Sequence, residues 1–222
     1  MLRITEPEIM DDEEQVRAYA LADFEEPHNQ FIALLGRKFP DLPATGHALD
    51  MGCGSGDITR RFALAYPGWK IDGIDGSHTM LNVARKMASR EDSEERMNFT
   101  QVLLPALPSG DHKYDLIFSN SLLHHMSIPD VFWTSLMDWS IELTNVFVMD
   151  LMRPSNPGQA RALVQQYSAA EPEILQTDFF NSLCAAFEPG EVTEQLQQAS
   201  LSHLQHEIVS DRHFIVWGSI AC

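Results

Sequence analysis

The stretch ALDMGCGSGD, from Ala48 to Asp57, reads as a short apolar strand that runs into a glycine-rich turn and opens a helix. Glycines at 52, 54 and 56 remove side chains so that a ligand can lie against the backbone, and the helix behind them offers unpaired N–H groups. Spacing narrows the ligand. A dinucleotide fold needs G-x-G-x-x-G, but the third residue after Gly54 is Asp57, whose carboxylate would face a pyrophosphate with like charge. A phosphate-gripping P-loop is excluded because no Gly-Lys-Ser/Thr follows. What fits is a ligand with a ribose, an adenine and a cationic or zwitterionic tail, without phosphate.

Outward from this turn the pattern alternates. HALDM is a strand, DITRRFALAY a helix, WKIDGID a strand and SHTMLNVARKMAS a helix. Strands follow at Met97 to Leu103 and from Tyr114, then a helix from Asp130 and a strand NVFVMD that ends at Asp150. Such alternation implies a parallel sheet with right-handed crossovers. After a loop at RPSNPG, Gln159 to Ala170 and Glu173 to Phe187 read as two inserted helices, and EVTEQLQQASL as a third. LQHEIVS and RHFIVWGSI are separated by too little chain for a crossover, so they form an antiparallel hairpin and bring the strands to seven. Before the first strand, apolar positions from Glu13 to Phe39 recur at helical spacing and predict two amphipathic helices divided at Pro27. The expectation is one domain: a helical lid over residues 1–45, a core over 46–150, a helical insertion over 151–190, and a helix with a hairpin over 191–222.

Asp75 ends the second strand, one strand over from the glycine turn, where a carboxylate can accept both hydroxyls of a ribose. Asp72 sits mid-strand and reads as a solvated edge residue. Together ALDMGCGSGD, IDGIDGSHTMLNVAR and YDLIFSNSLLHHM resemble motif I, the following acidic motif and the fourth-strand motif of class I S-adenosylmethionine-dependent methyltransferases, over roughly Gly46 to Asp150. The resemblance implies a Rossmann-like seven-stranded α/β sheet, mostly parallel with an antiparallel carboxyl-terminal hairpin and helices on both faces. It implies S-adenosylmethionine as cofactor and S-adenosylhomocysteine as product. Asp50, Gly52, Gly54 and Gly56 would lie against the methionine end, Asp75 on the ribose, and Ser77 and Met80 beside the adenine. Most family members carry an acid after the third strand for the adenine amino group; here that position is Leu103, so backbone amides near Leu104 and apolar packing must serve.

Methyl transfer from a sulfonium requires an acceptor held about 3 Å from the methyl carbon in a site that excludes water. Ser119 and Asn120, at the end of the fourth strand, are expected by the reactive end of the cofactor. His124 and His125 follow and are the candidates for a general base, with hydrogen bonding to local backbone as the structural alternative. Asp150 with Arg153, and His28, Tyr19 and Phe24 from the amino-terminal helices, are candidates for contact with the acceptor. Further aromatics, Phe31, Tyr167, Phe179, Phe180 and Phe187, either line an apolar pocket or pack helices.

Thirty-two acidic residues stand against fifteen basic ones, a net charge of −17, and the adjacent basic pairs, Arg37-Lys38, Arg60-Arg61 and Arg85-Lys86, are scattered along the chain. Such a surface repels a phosphate backbone, so neither nucleic acid nor anionic membrane is an expected partner, and a small-molecule substrate is. The absence of an apolar run of about 18 residues and the acidic start of the chain give a cytoplasmic expectation. Three dispersed cysteines without a CxxC pair suggest neither disulfides nor a metal site. The alternatives are a protein or RNA methyltransferase on the same core, a dinucleotide oxidoreductase, and a protein that binds the cofactor without transferring its methyl group.

Overall fold

The computed structural model describes residues 1–7, 9–90, 93–106 and 113–221. Seven strands form one sheet: β1 (Gly46–Met51), β2 (Trp69–Asp75), β3 (Met97–Gln101), β4 (Tyr114–Asn120), β5 (Ser140–Leu151), β6 (Gln205–Ile208) and β7 (His213–Ser219). Their order is β3-β2-β1-β4-β5-β7-β6, parallel except for β7, which runs antiparallel to both of its neighbours. The chain therefore reverses direction across the sheet between β1 and β4, the crevice where ligands gather in open α/β folds. The sheet is the architecture expected from the alternation and the closing hairpin.

Each face has its own helices. On one, α2 (Glu25–Lys38), α3 (Asp57–Ala65) and α4 (His78–Ala88) bury Phe31, Leu35, Phe62 and Leu81 against Ala48, Phe118, Phe147 and Ile215 of the sheet. On the other, α5 (Pro129–Trp139) and α8 (Pro189–Gln198) bury Phe132, Trp133, Leu136 and Leu196 against Leu49, Ile117, Val146 and Val216. The alternation of pleat residues explains the division, since Ala48 and Leu49 must point to opposite faces. A third, smaller cluster joins α6 (Pro157–Tyr167) and α7 (Glu173–Ala185) through Leu163, Leu183 and Ala186. The first helix, α1 (Glu13–Leu21), packs on α7 and α4.

Three expectations need correction. The amino-terminal helices divide at Ala22 to Phe24, not at Pro27, which occupies the first turn of α2 where its missing N–H costs no helical bond. Nor is α2 a lid alone: its first turns line the cavity, but Phe31 is fully buried and meets Phe118 and Phe147 edge to ring at 5.9 and 5.0 Å, so the body of this helix completes one layer of the core. Asp72 is not a solvated edge residue. β2 lies inside the sheet, and the Asp72 carboxylate accepts bonds from Tyr114 Oη (2.9 Å) and Asn98 Nδ2 (3.2 Å) and pairs with His47 Nε2 (3.0 Å).

Candidate active site

The glycine turn is shaped by two bonds to the end of β2: the N–H groups of Gly52 and Cys53 both donate to the Ile74 carbonyl, at 2.8 and 2.9 Å. Gly52 and Gly54 have φ of +74° and +51°, a region that L side chains avoid. A Cβ on Gly52 would lie 2.9 Å from Leu122, whereas one on Gly54 would meet nothing within 4 Å. The face of Gly54 is therefore open, and it opens into a cavity of about 690 Å³ at the carboxyl ends of the strands. Gly56 points elsewhere, towards Ala84 and the Phe99 ring, and lets the turn approach α4 and β3 closely.

Asp75 stands on the wall of the same cavity. Its Oδ2 accepts from Gly54 N (2.9 Å) and its Oδ1 from Ser77 N (2.8 Å), which fixes the carboxylate while leaving lone pairs for a diol. Burial raises its carboxyl above the ordinary value in spite of those two bonds. Asp50, beneath the turn, accepts from Thr59 Oγ1 at 2.5 Å, and burial pushes it up to about 7. Cys53, buried beside these two acids, has its thiol raised well above the ordinary value, which leaves no nucleophilic thiolate.

Across the cavity lies a second group of polar side chains. β2 and β5 are separated by three strand spacings, about 14 Å. Past the end of β4 a short 3-10 turn, Leu123–His125, presents two imidazoles. His124 is buried; its Nδ1 lies 2.5 Å from Asp150 Oδ1, and its Nε2 lies 3.4 Å from Glu6 Oε1. Burial alone would lower His124, but the Asp150 carboxylate holds it above its ordinary value. Asp150 is lowered by the same contact, against its own burial. His125 is pushed down to about 3 by burial and by the neighbouring His124. An extended amino-terminal segment covers this group: Arg3 donates to the carbonyls of Ala185, His124 and Met126, and Ile4 N donates to Cys184 O.

Of the residues singled out from the sequence, Asp50, Gly52, Gly54, Asp75, Met80, Leu103, Leu104, Asn120, His124, His125, Tyr19, Phe24 and His28 line the cavity. Leu103 is exposed and Leu104 partly buried, an apolar rim beyond β3. His28 is tied to Asp57 by a 2.6 Å contact and stacks on Phe24. Four others face away. The Ser119 hydroxyl donates to Met51 O (2.7 Å) and links β4 to β1. Ser77 caps α4 by accepting from Met80 N (3.0 Å). Asp150 reaches the cavity only through His124, and Arg153 is drawn away from it to Glu191 (2.9 Å), Glu188 (3.2 Å) and Ala186 O. Among the aromatics Tyr167 and Phe179 line the cavity, while Phe31 and Phe187 are core. The sequence offered no signal for Glu6, Asp178 or His213, which lie far along the chain from the motifs they approach.

Comparison with known proteins agrees with this fold. Residues 48–137 match the methyltransferase domain family. The trans-aconitate 2-methyltransferase of Delftia acidovorans is 30% identical over 138 residues, which is 60% of this chain and 47% of that protein. The chain spans about half or less of the length of the curated relatives it matches. A SAM-dependent methyltransferase from Aquifex aeolicus superposes with a TM-score of 0.69 over 96% of this chain and 100% of that one, at 16% identity. The plantazolicin methyltransferase BpumL, whose structure contains SAH, superposes with a TM-score of 0.65 over 94% and 85% of the two chains, at 13% identity. At such identities these two structures show likeness of fold.

Proposed function

We propose that this chain is a class I S-adenosylmethionine-dependent methyltransferase that moves a methyl group to a small, partly apolar molecule by in-line displacement. One observation carries the reading: a single cavity joins the glycine turn and Asp75 to the histidine pair and the aromatic cap. When bound, S-adenosylmethionine supplies an activated methyl group on a sulfonium.

The residues fit that cofactor. The open face of Gly54 would admit a backbone-hugging tail, and the Asp75 carboxylate would favour its cationic groups and offer acceptors to the ribose. Met80, Leu103 and Leu104 would offer apolar surface to the adenine, and Asn120, at the end of β4, would serve the reactive end. Tyr167, Leu175 and Phe179 from the cap line the rest of the cavity, hold the acceptor and exclude water. His124, oriented by Asp150, hydrogen-bonds the acceptor or takes its proton.

Charge limits the acceptor. The cavity wall includes Asp23, Glu25, Glu26, Asp50, Asp57, Asp75, Glu171 and Asp178, with Arg212 as its only Lys or Arg among the described residues. A tricarboxylate such as trans-aconitate is repelled there, so the acceptor is uncharged or cationic on arrival. Incubation with methyl-labelled S-adenosylmethionine and a fractionated small-molecule extract tests both points. Label should enter a small neutral or basic compound with the wild-type chain and not with Gly54→Val, and trans-aconitate should remain unlabelled. No transfer to any fraction would remove the activity; efficient labelling of trans-aconitate would remove the charge argument.

A further inference from the structure

Glu6 Oε1 is buried without a hydrogen-bond partner, and two imidazole nitrogens face it: His124 Nε2 and His125 Nδ1, each at 3.4 Å. All three atoms lie within 4.8 Å of one another. A proton shared between a carboxylate and an imidazole draws the heavy atoms to about 2.7–2.9 Å. The observed separations are longer, and they are alike. Three ligands at about 2.0–2.1 Å from a tetrahedral ion stand about 3.4 Å apart, which is the spacing found here on two of the three edges. Bonding elsewhere agrees. Asp150 occupies His124 Nδ1 at 2.5 Å, which directs the Nδ1–H to the carboxylate and the Nε2 lone pair towards Glu6. The other contact of His125 Nδ1, the Pro7 carbonyl, is long at 3.3 Å. Glu6 Oε2 is steadied by Ser182 Oγ at 3.3 Å, and Arg3 pins the turn itself through the carbonyls of His124 and Met126.

We propose that Glu6, His124 and His125 form a binding site for a divalent zinc-like cation, with Asp150 orienting His124 behind it. Two His and one Glu make a three-ligand set of the open kind, in which a fourth position is left for water or a substrate oxygen. Since both histidines line the cavity, that position belongs to the acceptor end. In the loaded protein His124 Nε2 is a ligand, and an acceptor hydroxyl bound to the ion loses its proton to solvent more readily than in water. Glu6 lies 118 residues from His124, so no ligand spacing in the sequence announces the site.

Binding of the ion does not depend on methyl transfer, and its test is separate. The untagged full chain would be equilibrated with Zn²⁺ or Co²⁺, desalted, and assayed for metal content, visible absorption and melting temperature. We expect about one ion per chain, the d–d bands of tetrahedral Co²⁺ and a raised melting temperature. Glu6→Gln and His125→Asn should each weaken retention about tenfold or more; His203→Asn, on an exposed residue elsewhere, should not. S-adenosylhomocysteine binding by Glu6→Gln, measured in parallel, reports on the distant glycine turn and shows that this variant is folded. No retained ion in the wild-type chain, or retention indifferent to both Glu6→Gln and His125→Asn, overturns the site.

Discussion

Asp50 sits beneath the glycine turn, fully buried, with Thr59 as its hydroxyl donor. Because burial lifts its carboxyl to about 7 from an unfolded value near 3.8, the folded chain holds a proton there that the unfolded chain releases. Stability from this residue is therefore fully present below the unfolded value, falls as pH rises towards 7, and levels off above it. Asp50→Asn keeps an oxygen for Thr59 and removes the ionisation, so its melting temperature relative to wild type should be several degrees better at pH 8 than at pH 5, read by calorimetry at both. Equal differences at the two values would contradict the burial argument. Asp75 was legible beforehand because strand and turn spacing alone put it at the turn. Ser119 and Ser77 were not, since spacing locates a residue at a strand end or helix start without saying whether its hydroxyl turns to the cavity or to backbone.

Among the elements, α2 shows most plainly what a helical stripe leaves open. Its apolar period was readable, but periodicity states that one face is buried and not what covers it. The sheet face over β4 and β5 lacked a crossover helix, and α2 fills it with Phe31, Leu34 and Leu35. Phe31→Ala removes a ring held between Phe118 and Phe147 and should cost about 3–5 kcal/mol of unfolding free energy in a denaturant titration. A loss below about 1 kcal/mol would restore α2 to the role of a detachable lid. The helices that line the cavity are α1 through Tyr19, the start of α2 through His28, α6 through Tyr167 and α7 through Leu175 and Phe179. The two helices after β5 were legible as helices. Their placement over the site was not, because it rests on contacts between residues far apart in the chain.

At the scale of the whole molecule, strand and helix alternation was enough to give a parallel sheet and the closing hairpin, since each follows from local patterning, whereas the strand order with its reversal between β1 and β4 rests on long-range pairing that alternation does not specify. Among the described residues no helix is long and apolar enough to cross a membrane. The net charge of −17 leads to a further expectation: at low salt the protein should pass a duplex DNA or RNA column unretained. Retention that weakens steeply with added salt would reveal a basic surface that the sequence conceals.

If Gly54 and Asp75 form the seat of S-adenosylmethionine, calorimetric titration with S-adenosylhomocysteine reports it without need of an acceptor. Charge-assisted bonds from a buried carboxylate contribute about 1.5–3 kcal/mol, so Asp75→Ala should weaken binding about 10- to 100-fold. Its far-ultraviolet circular dichroism should match that of wild type. We predict saturable binding of about one ligand per chain in wild type and that loss in the variant. No heat of binding at millimolar ligand, or equal affinity in Asp75→Ala, would contradict the account.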